Sequence, residues 1–218
     1  MKRVAGLGLL LGLAGCAGIF HSSAQREQVY FLGVNPAAPL TAALPAARAS
    51  LRVARPVAGP GLDSSHIVLL ESSHRMSYYM ASRWPATLPE VVETLATQVL
   101  NASGAWTSVQ GSQSPFPSDY LLQMRIRRFE ADYTGGSAAP EVHVVLDCTL
   151  GRQTGREIVD TFVSEGSAVA AANKLSDVVA AFEQATGAAL TSMAAHAGGS
   201  AHGGPDQNVE RPVPSMKR

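Results

Sequence analysis

Cysteine and charge are both scarce in this sequence, and each shortage excludes a class of protein. Only Cys16 and Cys148 occur among the 218 residues, which excludes a disulfide-rich framework. Basic and acidic residues number 17 each and together make up 16% of the chain, which leaves no excess of positive charge for binding nucleic acid. The sequence therefore predicts a fold held by its hydrophobic core and no nucleic-acid partner.

Motifs for catalysis and for metal binding are also missing. The chain has no Gly-x-Ser-x-Gly elbow, no phosphate-binding glycine loop and no His-Glu-x-x-His helix. Its six histidines are scattered: His21, His66, His74, His143, His196 and His202. We therefore predict no enzyme, no cofactor and no metal site. Two alternatives stay open: a metal contact of His196 and His202, and an envelope hydrolase whose catalytic groups meet only in the fold.

No apolar run at the N-terminus is long enough to cross a membrane. After Met1, Lys2 and Arg3 come eleven residues, 4–14, without charge or polar side chains. As a helix rising about 1.5 Å per residue, they cover only about half of a hydrocarbon core of about 30 Å. The pattern indicates a signal peptide over residues 1–15.

The residues at the end of this run refine that prediction. Leu13-Ala14-Gly15-Cys16 resembles the lipobox of bacterial lipoproteins, which implies a mature chain starting at Cys16 with a lipidated thiol and an acylated amine. Cys148 then has no partner for an internal disulfide. In enterobacterial-type lipoproteins, an Asp directly after the lipidated Cys retains the protein in the inner membrane. Ala17 occupies that position here, which by analogy favours the outer membrane. The alternative is an ordinary secretory signal that leaves Cys16 as a free thiol.

Composition divides the mature chain into three parts. Without Lys2 and Arg3 it has 15 basic and 17 acidic residues, a formal charge of −2. Residues 16–28 are polar and predict a lipidated tether, residues 29–196 a single periplasmic domain, and residues 197–218, rich in Gly and Pro, a disordered tail. Within the domain, the Pro/Ala-rich stretch at 33–49 predicts an extended loop.

Alternating apolar residues predict most of the domain as strands. The pattern indicates an edge strand at 51–57, a hairpin at 66–84 and a meander through 122–133, 142–150 and 157–164. Because Leu122 to Ile126 and Phe129 to Tyr133 fall on opposite parities, we expect a β-bulge near Arg127-Arg128. Cys148 shares the parity of four aliphatic residues on its strand, so we predict a buried, unreactive thiol.

Two segments have helical periodicity. Thr87-Leu88-Pro89-Glu90 has the form of a capping box, and the helix that follows it runs to Gly104. The apolar stripe of this helix predicts packing on the sheet; a face for a membrane or a partner is the alternative. A second helix is predicted over 173–195, with Asn173 as its cap and a weak point at Gly187. The predicted fold class is α+β, a mainly antiparallel sheet with two packed helices.

Aromatic and basic side chains supply the candidates for binding. Tyr78, Tyr79 and Trp84 lie together in the predicted hairpin and are a candidate surface for docking a partner; packing of the hairpin on its own sheet is the alternative. Arg125, Arg127 and Arg128 form a basic strand face suited to lipid phosphates. The alternative is a solvated face balanced by Glu130 and Asp132.

A series of these segments resembles one protein family. Five features are similar to the ABC-type transport auxiliary lipoproteins, which include the PqiC type. They are the lipobox, Tyr30-Phe31-Leu32, the 51–57 strand, Pro60-Gly61-Leu62-Asp63 leading to Ile67-Val68, and Arg83-Trp84 before Leu88-Pro89. The family's usual Arg-Trp-Ala-Glu is Arg83-Trp84-Pro85-Ala86 here. The resemblance covers about residues 16–195.

The resemblance implies a lipid-anchored domain on the periplasmic face of the outer membrane. Its implied partner is an inner-membrane ABC transporter whose periplasmic component carries an MCE (mammalian cell entry) domain, in a system that moves lipids or other hydrophobic molecules. Several copies forming a ring are also implied. A lipoprotein that helps to assemble an outer-membrane β-barrel or a lipopolysaccharide exporter is the alternative.

Overall fold

The computed structural model describes residues 26–34, 49–71 and 75–202. Cys16, the predicted signal peptide, most of the tether, residues 35–48 of the Pro/Ala loop and the tail from 203 lie outside them. The described residues form nine strands and two α-helices. These are β1 (Gln28–Val29), β2 (Ser50–Val53), β3 (Val57–Ala58), β4 (His66–Glu71), β5 (Arg75–Arg83), α1 (Leu88–Ala102), β6 (Ser108–Gln110), β7 (Tyr120–Asp132), β8 (Glu141–Arg152), β9 (Glu157–Val169) and α2 (Leu175–His202).

Strand β7 is the centre of the sheet. Along one edge it pairs with the whole of β8, which in turn pairs with β9, and both pairings are antiparallel. Along the other edge it pairs in succession with β2, β3 and β4, all parallel. Strand β5 lies beyond β4, and β1 lies beyond β5. The predicted α+β class is confirmed: the long pairings are antiparallel, and short parallel strands complete the sheet.

The prediction of an edge strand at 51–57 is wrong for its first part and holds for its end, because β3 pairs with β7 alone among the described strands. Strand β2 lies between β6 and β7 and pairs with both. The chain then leaves the ladder at Pro56, which has no N–H to donate, and returns as β3. Proline therefore splits this segment into an interior strand, β2, and a short strand, β3, that is paired along one side only.

The predicted bulge in β7 is confirmed. Ile126 faces Leu146 and Arg128 faces Val145, so Arg127 is the extra residue. The shift returns Phe129 to the core side, where it is 1% exposed. The predicted hairpin is also present, with β4 and β5 as its antiparallel strands.

Helix α1 follows the predicted apolar stripe but not the predicted cap. It begins at Leu88, and Thr87 caps it without a side-chain bond into the helix. The Thr87 hydroxyl instead accepts a hydrogen bond from Arg55 Nη2 at 3.0 Å, so the capping box does not form. Gly104, with φ of +67°, follows the C-terminus as predicted.

Helix α2 is longer than predicted. It begins at Leu175 and runs beyond 195 to His202, so the first residues of the predicted tail belong to it. Asn173 is not its cap, because the side-chain oxygen of Asn173 accepts from the Tyr133 hydroxyl at 2.8 Å. The predicted stripe from Val178 to Met193 is buried.

Both helices pack on one face of the sheet and share one core. Trp84 makes edge contacts with Phe129 and Phe182, with ring centroids 6.2 and 5.4 Å apart. Helix α2 approaches β9 so closely that a Cβ on Gly166 would overlap the carbonyl oxygen of Ala185. Neither of the two described helices lies on the opposite face of the sheet, which carries Tyr78, Glu130, Asp147 and Val163; we call it the open face.

Candidate docking surface on the open face

Trp84, one of the three aromatic residues predicted for docking, belongs to the core. It is 1% exposed and wedged between Phe129 of β7 and Phe182 of α2. A partner reaches this ring only if the core opens. For Trp84 the geometry therefore favours the alternative interpretation, in which the hairpin packs on its own sheet.

Tyr79 is half-buried and joined to a hydrogen-bonded chain. Its hydroxyl lies 2.8 Å from the Tyr133 hydroxyl, which donates to Asn173 Oδ1 at 2.8 Å. Because the single proton of Tyr133 goes to Asn173, Tyr79 must donate to Tyr133. Burial, together with this bond, raises the pKa of Tyr79 well above its ordinary value. Tyr79 thus ties the hairpin to the residues that precede α2.

Tyr78 is the member of the predicted trio that faces solvent. It is 45% exposed, and its ring lies over His66 with centroids 4.8 Å apart. The register places Tyr78 opposite Val68 and Met76 opposite Leu70, so Met76 and Tyr78 share the open face. Met76 is 42% exposed. We call Met76 and Tyr78 the hairpin patch.

A large bulge follows Tyr78 on β5. His66 faces Arg83 while Val68 faces Tyr78, so residues 79–82 form the bulge. Ala81 has a φ of +50°, unusual for a residue other than glycine, and the Ser82 hydroxyl donates to the Met80 carbonyl at 3.0 Å. The bulge leaves the Met80 side chain 85% exposed. Met80 was not among the residues predicted for docking, because its exposure depends on this bulge.

Strand β1 brings further apolar residues beside the bulge. It runs parallel to β5, with Gln28 opposite Ser82, and the N–H of Tyr30 donates to the Arg83 carbonyl at 2.8 Å. Leu32 is buried, whereas Val29 and Phe31 point outwards and are 41% and 70% exposed. We call Val29, Phe31 and Met80 the edge patch. Together, the two patches hold half of the exposed large apolar side chains of the described residues.

The centre of the open face is charged and internally balanced. Arg127 pairs with Asp147 at 3.1 Å and with Glu165 at 3.5 Å. Arg128 pairs with Glu130 at 2.6 Å and with Asp132 at 3.2 Å. For Asp132, burial acts to raise the pKa, but hydrogen bonds from Thr134 and the Arg128 charge outweigh it, and the pKa is lowered. These carboxylates favour the solvated-face interpretation over a site for lipid phosphates.

Cys148 is buried as predicted. Its side chain has no exposure, its Sγ donates a weak bond to the Leu146 carbonyl at 3.7 Å, and burial raises the pKa of the thiol to about 12. The thiolate is the nucleophilic form of cysteine, so Cys148 is unreactive in the native fold.

Metal ligands do not cluster within residues 26–34, 49–71 and 75–202. No group of three or more His, Cys, Asp and Glu side chains there is arranged to hold a metal ion. His196 stacks on Phe162 with centroids 4.6 Å apart, and His66 lies against Tyr78. Among the described helices, none is both long and apolar enough to cross a bilayer.

A concavity lies between α2 and the segment that follows β1. It is a cleft of about 760 Å³, lined by Gly33, Val34, Glu183, Gly187 and neighbouring residues of α2. Gly33 donates its N–H to Glu183 Oε1 at 2.7 Å, which holds the segment after β1 against the helix. The lining has little charge, and this cleft contains none of the residues predicted for docking.

Residues 30–194 match the family model described as "ABC-type transport auxiliary lipoprotein component". A crystal structure of a protein from Xanthomonas campestris superimposes with a TM-score of 0.70 at 24% identity, covering 80% of this chain and 97% of that one. A second crystal structure, of an uncharacterized protein, has a TM-score of 0.62 at 14% identity and covers 79% and 99%. These two structures share the fold. Among curated proteins, none matches the sequence significantly.

Proposed function

Because this chain belongs to the ABC-type transport auxiliary lipoprotein family, we propose that it is the outer-membrane-anchored component of an MCE-type ABC transport system. In this proposal Cys16 carries the lipid, and the domain stands on the periplasmic face. The system moves lipids or other hydrophobic molecules across the envelope. The chain has no catalytic role; it docks the transporter's periplasmic component or receives the transported molecule. The family match over residues 30–194 is the observation that carries this function.

The lipobox supports the anchor. A signal run ending in Leu13-Ala14-Gly15-Cys16 provides the small residues and the thiol that lipidation requires, and Ala17 favours release to the outer membrane. Two or three acyl chains hold a protein on a membrane almost permanently, because each buried methylene contributes about 0.8 kcal/mol.

The hairpin patch is the surface we propose for the partner. Met76 and Tyr78 are 42% and 45% exposed on the open face. Tyr78 contacts the His66 ring and Met76 lies over the turn at Gly61, and the rest of both side chains faces solvent. Tyrosine and methionine are enriched at protein interfaces, and an adaptable Met beside a rigid aromatic ring suits a protein surface. We therefore assign docking to Tyr78 and Met76, with Tyr79 and Trp84 holding the hairpin from beneath.

Co-purification tests this function. The full-length lipoprotein is solubilised from its own membranes in mild detergent, and the proteins that accompany it are identified by mass spectrometry. We expect an MCE-domain protein and ABC-transporter subunits. A β-barrel assembly in their place would support the alternative role in barrel or lipopolysaccharide-exporter assembly, and no specific companion would contradict both.

A matched pair of variants tests the docking surface. Tyr78→Ser removes an open-face side chain that is 45% exposed. Val163→Ser removes a side chain of the same face that is 47% exposed, on β9 at the opposite edge of the sheet. We expect Tyr78→Ser to lose the transporter subunits and Val163→Ser to retain them, with both variants folded. Equal retention by the two variants would place the docking surface elsewhere.

A further inference from the structure

We propose that the edge patch, Val29, Phe31 and Met80, rests on the lipid surface of the membrane that holds the anchor. This inference rests on the proposed function, because it requires the lipid on Cys16. It gives the edge patch a partner different from that of the hairpin patch: acyl chains and headgroups, not protein.

The first argument is the position of the anchor. Nine residues, and so ten residue-to-residue steps, separate Cys16 from Arg26, where the described chain begins beside β1. A fully extended chain spans at most about 3.6 Å per residue, so Arg26 stays within about 36 Å of the lipidated cysteine. Strand β9 lies five strands away from β1, roughly 24 Å farther at about 4.8 Å per strand. Because the tether joins the domain at the β1 edge, that edge reaches the bilayer with less extension of the tether than the β9 edge needs.

The second argument is what that edge presents. Phe31 is 70% exposed and Met80 is 85% exposed, while the alternate residue Leu32 is buried and fixes the segment to the core. Met80 is held outwards by the bulge, whose backbone includes Ala81 in a left-handed conformation. The two apolar side chains thus project from a supported backbone, which suits shallow insertion between lipids.

The third argument is charge. Residues 26–34 and 75–83 contain one acidic side chain, Glu27, and it is already paired with Arg83 at 2.7 Å. Arg26 adds a positive charge where the described chain begins. No unpaired carboxylate of the described residues in 26–34 and 75–83 opposes an anionic lipid surface.

Tethering makes weak insertion sufficient. A short linker keeps its second binding site at an effective concentration in the millimolar range, so a patch with only millimolar affinity for lipid is substantially occupied. An apolar patch of three side chains is in keeping with such a contact and would not hold an unanchored protein on a membrane.

Single-cysteine labelling tests this contact on the complete lipoprotein. Cys16 is blocked by its lipid and Cys148 is buried with a raised thiol pKa, so an added cysteine is the thiol that reacts. Phe31→Cys and Met80→Cys report on the edge patch. Ile158→Cys, at a residue 68% exposed on β9, is the matched control. Each variant is labelled with an environment-sensitive fluorophore and reconstituted into vesicles of phosphatidylethanolamine and phosphatidylglycerol.

We expect the labels at 31 and 80 to shift to shorter wavelength and to be quenched by brominated acyl chains, and the label at 158 to do neither. Labels at 31 and 80 that behave like the one at 158 would overturn the inference. Labels that respond only when transporter subunits are added would also overturn it, because the occupant is then a protein. The intact mass of the protein shows separately whether Cys16 carries its lipid. An unlipidated chain would overturn both the anchor and this inference. If the transporter subunits co-purify but the labels do not respond, this inference fails and the proposed function stands.

Discussion

The two faces of the sheet differ although the same strands build both. On the covered face, Leu122, Ile126 and Leu146 have no exposure and belong to one core cluster that includes residues of both helices. On the open face, Arg127 and Arg128 are paired with four carboxylates, and apolar side chains such as Tyr78 remain partly exposed. The covered face has no room for a partner. Binding is therefore to be sought on the open face, and the exposed apolar residues there are the ones that folding does not explain.

Substitution of Trp84 and of Tyr78, two aromatic residues of one hairpin, gives the largest expected contrast. Trp84→Ala removes the ring between Phe129 and Phe182, and we expect it to lower the free energy of unfolding by about 3–5 kcal/mol. Tyr78→Ala, on the open face, should change it by less than about 1 kcal/mol. Urea denaturation followed by circular dichroism measures both. Equal losses would mean that the two faces are not distinct at this hairpin.

The covered face also depends on a residue that has no side chain. Gly166→Ala places a Cβ against the backbone of Ala185 and within 2.9 Å of the Ala189 nitrogen, and neither backbone atom can rotate away. We expect a loss of about 3 kcal/mol, at the upper end for overpacking. Gly135→Ala, where a Cβ meets nothing within 4 Å, is the matched control and should stay within about 0.5 kcal/mol. A tolerated Gly166→Ala would show that α2 is free to move away from β9.

The sequence predicted those parts of this comparison that depend on local patterns. A period of two gave the hairpin, the β7 bulge and the burial of Cys148, because each follows from which neighbours share a face. The position of β2 inside the sheet, the use of Thr87 by Arg55 and the need for glycine at 166 depend on segments far away in the chain. No local pattern carries that information.

The candidate site was predictable in part for the same reason. Tyr78, Tyr79 and Trp84 look alike in the sequence, but the bulge at 79–82 changes the parity of β5 after Tyr78. Ordinary alternation places Tyr78 on the open face and turns Tyr79 to Tyr133. The bulge then brings Trp84 into the core, although it has the same parity as Tyr78 in the sequence. The exposure of Met80 follows from the same bulge, whose position depends on how β5 pairs with β4.

Tyr79 lies between the two faces and gives the smallest effect. Tyr79→Phe removes the hydrogen bond to Tyr133, and we expect a loss of about 1 kcal/mol at pH 7. The folded-state pKa of Tyr79 is raised, so the wild type loses stability as the pH rises past about 10, where the unfolded chain releases this proton and the folded chain does not. The phenylalanine variant lacks this loss, so the gap between the two should shrink at pH 11. Urea denaturation at both pH values measures it. A gap that stays constant would mean that Tyr79 titrates freely and belongs to the open face, and the chain from the hairpin to Asn173 would then not hold the bulge in place.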